Sequence, residues 1–317
     1  MTKTPDKDDL SYLGAADRGV AWFARRPRMT VILTVVVLAG LGWVYLLIMV
    51  GVMVPDMDMG ALGPGMGAFN VFNNFSGLDA TARAALAAIC APTAGGYFGM
   101  PSAGPWDVAD FFLVLVMWVM MVMAMMLPTA GPMLATYADI ADSGRRTGNR
   151  AAPVVVLAAG YLSVWVAFAV VASLAQWGLT ALQAMTPMMA PASLVLAGTT
   201  MIAAGIYQFT PAKYACLTRC QAPVPYFHAK WRGDTAGVFR LGVEQGLFCF
   251  GCCWALMAVM FAVGVMNVIW IAILGAAMAL EKIVISIWIP RILGVVFFLW
   301  GCAVLLMSEP IRRAIGL

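Results

Sequence analysis

Long uncharged apolar runs alternate with short clusters of charge along this chain, and that alternation predicts helices that cross a lipid layer. Met29 to Val54 contains no charged residue. At about 1.5 Å per residue such a run covers a hydrocarbon core of roughly 30 Å. It is too long for a signal-peptide core and reads as a signal anchor. Comparable runs follow at Val108–Leu127, Ala152–Trp177, Ala192–Phe209, Leu241–Gly264, Asn267–Ile289 and Ile292–Met307. The pattern predicts an all-α, polytopic transmembrane helix bundle of about seven spans. No fixed-period repeat and no polar linker interrupts it. A transmembrane domain, 29–308, therefore lies between an N-terminal tail, 1–28, and a C-terminal tail, 309–317.

Composition strengthens this picture: 63% of the 317 residues are hydrophobic and 11% are charged, too apolar a balance for a soluble core of this size. Sixteen of the 19 Lys and Arg fall in the N-terminal tail and the second, fourth and sixth loops, all on one side of a seven-span topology. The positive-inside rule places that side, with the N-terminus, in the cytoplasm and the C-terminus outside. Arg312 and Arg313 then sit on the wrong side. The net charge of +4 reflects helix ends facing lipid headgroups and gives no reason to expect a nucleic-acid partner.

The first loop, 55–107, is about fifty residues long, outward-facing and rich in Gly, Pro, Asn and Phe. Within it Asp79 can cap a short helix over Asp79–Ile89. Cys90 is the only thiol in the outer loops, so no intrachain disulfide can staple them. The single His, His228, excludes bis-His haem and multi-His copper or di-iron centres built by this chain alone.

Candidate chemistry concentrates in sulfur. At about 100° per residue, Cys249, Cys252, Cys253, Met257 and Met260 share one side of the fifth span, with Gln245 a turn below. Counted from Arg240, the three thiols lie roughly 14–20 Å into the bilayer. Cys302 on the last span reaches a similar depth and joins them if the two helices are neighbours. On the second span Met117, Met121 and Met125 form a ladder along one face, with Asp107 and Asp110 at its mouth. The first span ends in the outer run Asp56, Met57, Asp58 and Met59. Thioethers prefer Cu(I), thiolates take Cu(I) or Zn(II), and carboxylates at a mouth attract a cation before capture. The layout suggests a funnel leading to a soft-metal site, for copper first and zinc second.

Each element has a plainer explanation. Methionine fills gaps in apolar packing and free cysteine behaves as a small hydrophobe. Glu281 and Lys282 interrupt the sixth span, and such residues either line a polar pathway or pair structurally. Lys282 could snorkel to the surface, leaving Glu281 to pair with Lys213, Arg240 or Lys282. Cys216 and Cys220 share a face if the fourth helix continues past Pro211, which with His228 gives an incomplete cytoplasmic site or simple boundary packing.

Several stretches taken together resemble a bacterial family, domain of unknown function 2182, whose members are predicted metal-binding integral membrane proteins. They are Trp118-Val119-Met120-Met121-Val122-Met123-Ala124-Met125-Met126-Leu127-Pro128, Tyr207-Gln208-Phe209-Thr210-Pro211-Ala212-Lys213, Cys216-Leu217-Thr218-Arg219-Cys220, Gly246-Leu247-Phe248-Cys249-Phe250-Gly251-Cys252-Cys253-Trp254-Ala255-Leu256-Met257 and Glu281-Lys282. The likeness covers spans two to six and implies an inner-membrane protein that handles a metal; it implies no reaction. Family members often carry His where this chain has Arg219, a departure that weakens a cytoplasmic site built on Cys216 and Cys220.

The leading expectation is a methionine-rich membrane protein that binds Cu(I) and moves it or holds it for a periplasmic or membrane protein partner. A thiol- or copper-based redox subunit is the rival, suggested by the Cys249-Phe250-Gly251-Cys252 spacing. A metal-free assembly subunit is the third reading.

Overall fold

The computed structural model describes residues 26–314 apart from 56, 74–75, 90–100, 102–104, 147–150 and 187. Asp56, Cys90 and most of the N-terminal tail therefore lie outside the described residues. The described residues form an all-α bundle without strands, apart from one isolated bridge between Met185 and Pro191.

Helix α1 (Pro27–Met53) is followed by two 3-10 turns, Met59–Leu62 and Met66–Phe72, and by α2 (Ala80–Ile89). As expected, Asp79 caps α2, its carboxylate accepting from the Ala82 amide at 2.7 Å. Then come α3 (Val108–Arg146), α4 (Val154–Ala181), α5 (Leu194–Tyr207), α6 (Pro211–Gln221), α7 (Pro223–Ala229), α8 (Thr235–Ala258) and α9 (Met260–Val263). The chain finishes with α10 (Val268–Ile283), α11 (Trp288–Leu306) and α12 (Glu309–Ala314).

Five of these segments are long and apolar enough to cross a membrane: 27–53, 108–145, 154–181, 235–263 and 288–306. The hydropathy pattern predicts about seven, and the difference has local causes. The run Ala192–Phe209 yields a helix of only 14 residues, because Thr210 is extended ahead of Pro211 and its hydroxyl caps a new helix. The axes of α5 and α6 meet at a 65° bend, so the pair is one broken span or a re-entrant loop. The run Asn267–Ile289 divides at an extended Val284, leaving α10 with 16 residues.

The second span departs in the other direction. It continues through Pro128 and Pro132 into a helix of 39 residues, roughly 58 Å at about 1.5 Å per residue. Nearby hydroxyls bond its carbonyls through this stretch: Thr129 donates to Met126 O at 2.8 Å, Thr136 to Pro132 O at 2.8 Å, and Tyr161 to Met126 O at 3.3 Å. The carbonyls that lose their helical donors to Pro128 and Pro132 are those one turn back, at Ala124 and Pro128.

Three helix pairs carry most of the packing: α1 with α3, α4 with α8, and α5 with α11. Between apolar helices in lipid, close van der Waals approach replaces the hydrophobic drive, so small residues sit at the crossings. A Cβ at Gly160 would lie 2.1 Å from Phe239 O, and one at Gly242 would lie 2.2 Å from Leu157 O. The α4/α8 pair thus meets backbone to backbone, which fixes the depth of every side chain on α8. At one end of the bundle the 3-10 turns lie across the α9–α10 connection. There Gly63 and Gly264 both have positive φ, and a Cβ on either would fall within about 2.1 Å of the opposing carbonyl.

Candidate metal site

Thr210 and Pro211 begin α6 at the bend, and its direction brings Cys216 and Cys220 onto α8. A Cβ on Gly251 would lie 2.5 Å from Cys216 Sγ, so that sulfur rests against bare α8 backbone. One turn on, the sulfurs of Cys220 and Cys252 are 4.0 Å apart. Cys252 also lies 3.4 Å from Cys253 Sγ and donates to Cys249 O at 3.1 Å. Cys249, Cys252 and Cys253 are all buried. The α6 pair, Cys216 and Cys220, and the α8 stripe, distinct in the sequence, thus meet at Cys220 and Cys252.

The surrounding polar groups come from six helices. Lys282 on α10 turns inward instead of snorkelling, donating to Cys249 Sγ at 2.9 Å and to Thr129 Oγ1 on α3 at 2.7 Å. Tyr161 on α4 places its hydroxyl 2.9 Å from the same sulfur. Beside this, Lys213 and Glu281 form a fully buried ion pair at 2.7 Å, and Lys213 also donates to Cys252 O at 3.1 Å. Gln221 donates to Glu281 O at 2.7 Å, and Tyr207 donates to Gly251 O at 2.5 Å. The second carboxylate oxygen of Glu281 and the amide nitrogen of Gln245 are buried without a partner. Unpartnered polar atoms beside a sulfur cluster mark a polar interior inside an apolar bundle.

The methionines belong to the apolar core. Met117, Met121, Met125, Met257 and Met260 are buried in one continuous apolar core together with Met57, Met59 and Met66. Met125 lies against Gly275 of α10. At the outer turns, Asp58 accepts from Gly60 N and from the Asn70 amide at 2.6 Å, which pins the Met57–Met59 run against the core. Asp107 and Asp110 cap α3 reciprocally, each carboxylate accepting from the other's backbone amide at 2.8–3.1 Å. Cys302 lies on α11, which packs against α5, while α8 packs against α4 and α6. The sequence could not tell which helices are neighbours, and the fourth sulfur arrives from α6. Sequence reasoning also passed over Tyr161 and Thr129; polar tips inside apolar runs were the available signal.

Among the described residues no three His, Cys, Asp or Glu side chains converge on one point at metal-binding geometry. What converges is a series of sulfur pairs.

The family model described as PpoB2, copper chaperone, matches residues 115–304. The chain belongs to this copper chaperone family. The match takes in α4 to α10 whole and most of α3 and α11, and hence every thiol, lysine and tyrosine of the cluster. No curated protein and no solved structure matches the chain. Copper handling is what the family's description carries, and the thiol cluster lies within the matched residues.

Proposed function

We propose that this chain is a multi-pass membrane copper chaperone, in an inner membrane with its N-terminus in the cytoplasm. It holds Cu(I) in the thiol cluster of α6 and α8 and passes it to a protein partner. One observation carries this reading: Cys220, Cys252 and Cys253 lie in sulfur-to-sulfur contact inside the bundle, with the Lys282 ammonium against Cys249. Metal binds the thiolate form of cysteine, and a buried thiolate–metal group needs a countercharge in a low-dielectric interior. Lys282 supplies it. The buried methionines give Cu(I) neutral soft donors toward the outer turns. The likeness to the domain of unknown function 2182 family rests on the same stretches and supports the same reading.

The redox alternative requires Cys249 and Cys252 to pair with each other. Here Cys252 faces Cys220 and Cys253, while the Cys249 sulfur is engaged by Tyr161 and Lys282. The Cys249 side chain also meets that of Cys252, so the preference for copper over a thiol shuttle rests on the family match.

The test is metal analysis of protein purified anaerobically without chelator, with X-ray absorption to give valence and donor type. The expected result is Cu(I) bound through sulfur and lost in Cys249→Ser/Cys252→Ser. Copper and zinc at background in the native chain, or copper unchanged in the double variant, would defeat the proposal.

A further inference from the structure

A second polar site lies at the foot of α8, where the ends of three apolar helices meet. The amide of Ala152, just before α4, donates to Gly233 O at 3.0 Å, and Tyr137 of α3 stacks on Trp231 with ring centroids 5.5 Å apart. Beneath them is a cavity of about 310 Å³ lined by Lys230, Trp231, Arg232, Arg240 and Glu244. That volume falls at the lower end of pockets that take small molecules, roughly 300–1,000 Å³.

The pocket is built for an anion. Three cationic side chains line it against one carboxylate, Glu244, which lies 3.7 Å from Lys230 and 3.4 Å from Arg240. Two positive charges are left over. Gly237, also on the wall, makes room for Arg232: a Cβ there would lie 2.5 Å from Arg232 Cβ and 2.7 Å from its Cδ. The arginine stem is thereby laid along the first turn of α8. Asp234, the nearby acid, is engaged in capping that turn through Gly237 N at 2.8 Å. Tyr226 donates to Glu244 at 2.5 Å and holds it in place. Burial, together with that hydrogen bond, pushes the Tyr226 phenol up to about 12, so it remains a donor at neutral pH.

We propose that this pocket binds the phosphate group of an anionic phospholipid, with Arg232 and Arg240 on the phosphate and Trp231 against the glycerol and upper acyl region. Arg matches phosphate with its planar donor fork, and tryptophan favours the boundary between headgroups and chains. The position, at the end of a helix long enough to cross the membrane, brings the cavity to headgroup level. Basic pockets between transmembrane helices are a recurrent form of lipid recognition. The proposal requires α8 to span a membrane and is independent of copper.

The experiment is native mass spectrometry of the full chain released from nanodiscs of equal phosphatidylglycerol and phosphatidylcholine. The expected result is selective retention of phosphatidylglycerol that falls at least about fivefold in Arg232→Gln/Arg240→Gln. It should persist in Arg28→Gln/Arg291→Gln, which removes the same charge outside the pocket. Equal loss in both variants would mean diffuse surface attraction and would overturn the site. Saturable binding of inorganic phosphate by the detergent-solubilised chain, without phosphatidylglycerol retention, would also overturn it in favour of a soluble anion. Both variants change exposed side chains, and circular dichroism would verify that each keeps its helix content.

Discussion

The Lys282 ammonium donates to the Cys249 sulfur at 2.9 Å, although the two residues lie on different helices in an apolar bundle. A charge-assisted contact of this kind contributes about 1.5–3 kcal/mol. Replacing it with a neutral chain of similar length, Lys282→Met, is expected to weaken Cu(I) binding by roughly ten- to a hundredfold. Competition with a calibrated Cu(I) chelator would measure this. Affinity equal to the native chain would show that the cation has no part in holding the ion.

Cysteines that look equivalent in composition should differ in effect. Cys220 faces Cys252 at 4.0 Å, whereas Cys302 lies on α11, whose main partner is α5. Cys220→Ser is expected to lower bound copper per chain by at least half, and Cys302→Ser to leave it unchanged within error. Elemental analysis of the two variants side by side checks the ranking.

The Lys213–Glu281 pair has both side chains buried, at 0% and 1% exposure. Removing one member strands the other charge and should destabilise the protein by about 3–5 kcal/mol. Lys213→Met paired with Glu281→Leu should cost much less, because no charge is left unpaired. Thermal unfolding in detergent of the Lys213→Met variant, the Glu281→Leu variant and the double variant would reveal this non-additivity. Equal losses from single and double replacements would contradict it.

Gly160→Ala tests the α4/α8 crossing, since the new methyl would meet Phe239 O at 2.1 Å. Overpacking of this kind typically costs about 1–3 kcal/mol. The expected signs are a lower melting temperature and reduced copper content, because α8 carries the thiols. Gly40→Ala, where no atom lies within 4 Å, is the matched control and should behave as the native chain.

The apolar runs predict the helical bundle and place α1, α4 and α11 to within about four residues, whereas α8 begins at Thr235, six residues before its apolar run. The stripe of Cys249, Cys252 and Cys253 was equally visible, since helical periodicity alone puts the three together. Partnership between helices was not. Nothing in the period of α8 says whether Cys302 or Cys220 will face it; that depends on the bend at Thr210–Pro211 and on which pairs of small residues meet. Gly198 and Gly205 on α5 and Gly294 and Gly301 on α11 repeat at the same interval of seven, the one sequence cue to that pairing. Pro128 and Pro132 misled in the opposite direction. Proline, a helix-breaking signal in water, is tolerated in this apolar helix, which continues through both positions.

The close approach of Gly63 and Gly264 closes the methionine-lined end of the bundle, with the Asn267 amide laid across the seam on Pro64 O at 2.9 Å and Val263 O at 3.2 Å. A hatch sealed this way tolerates no added atom at either position. A single methyl would prise the first loop off the α9–α10 corner and admit water to Met59 and Met66, making two residues distant from every thiol the guardians of the dry interior.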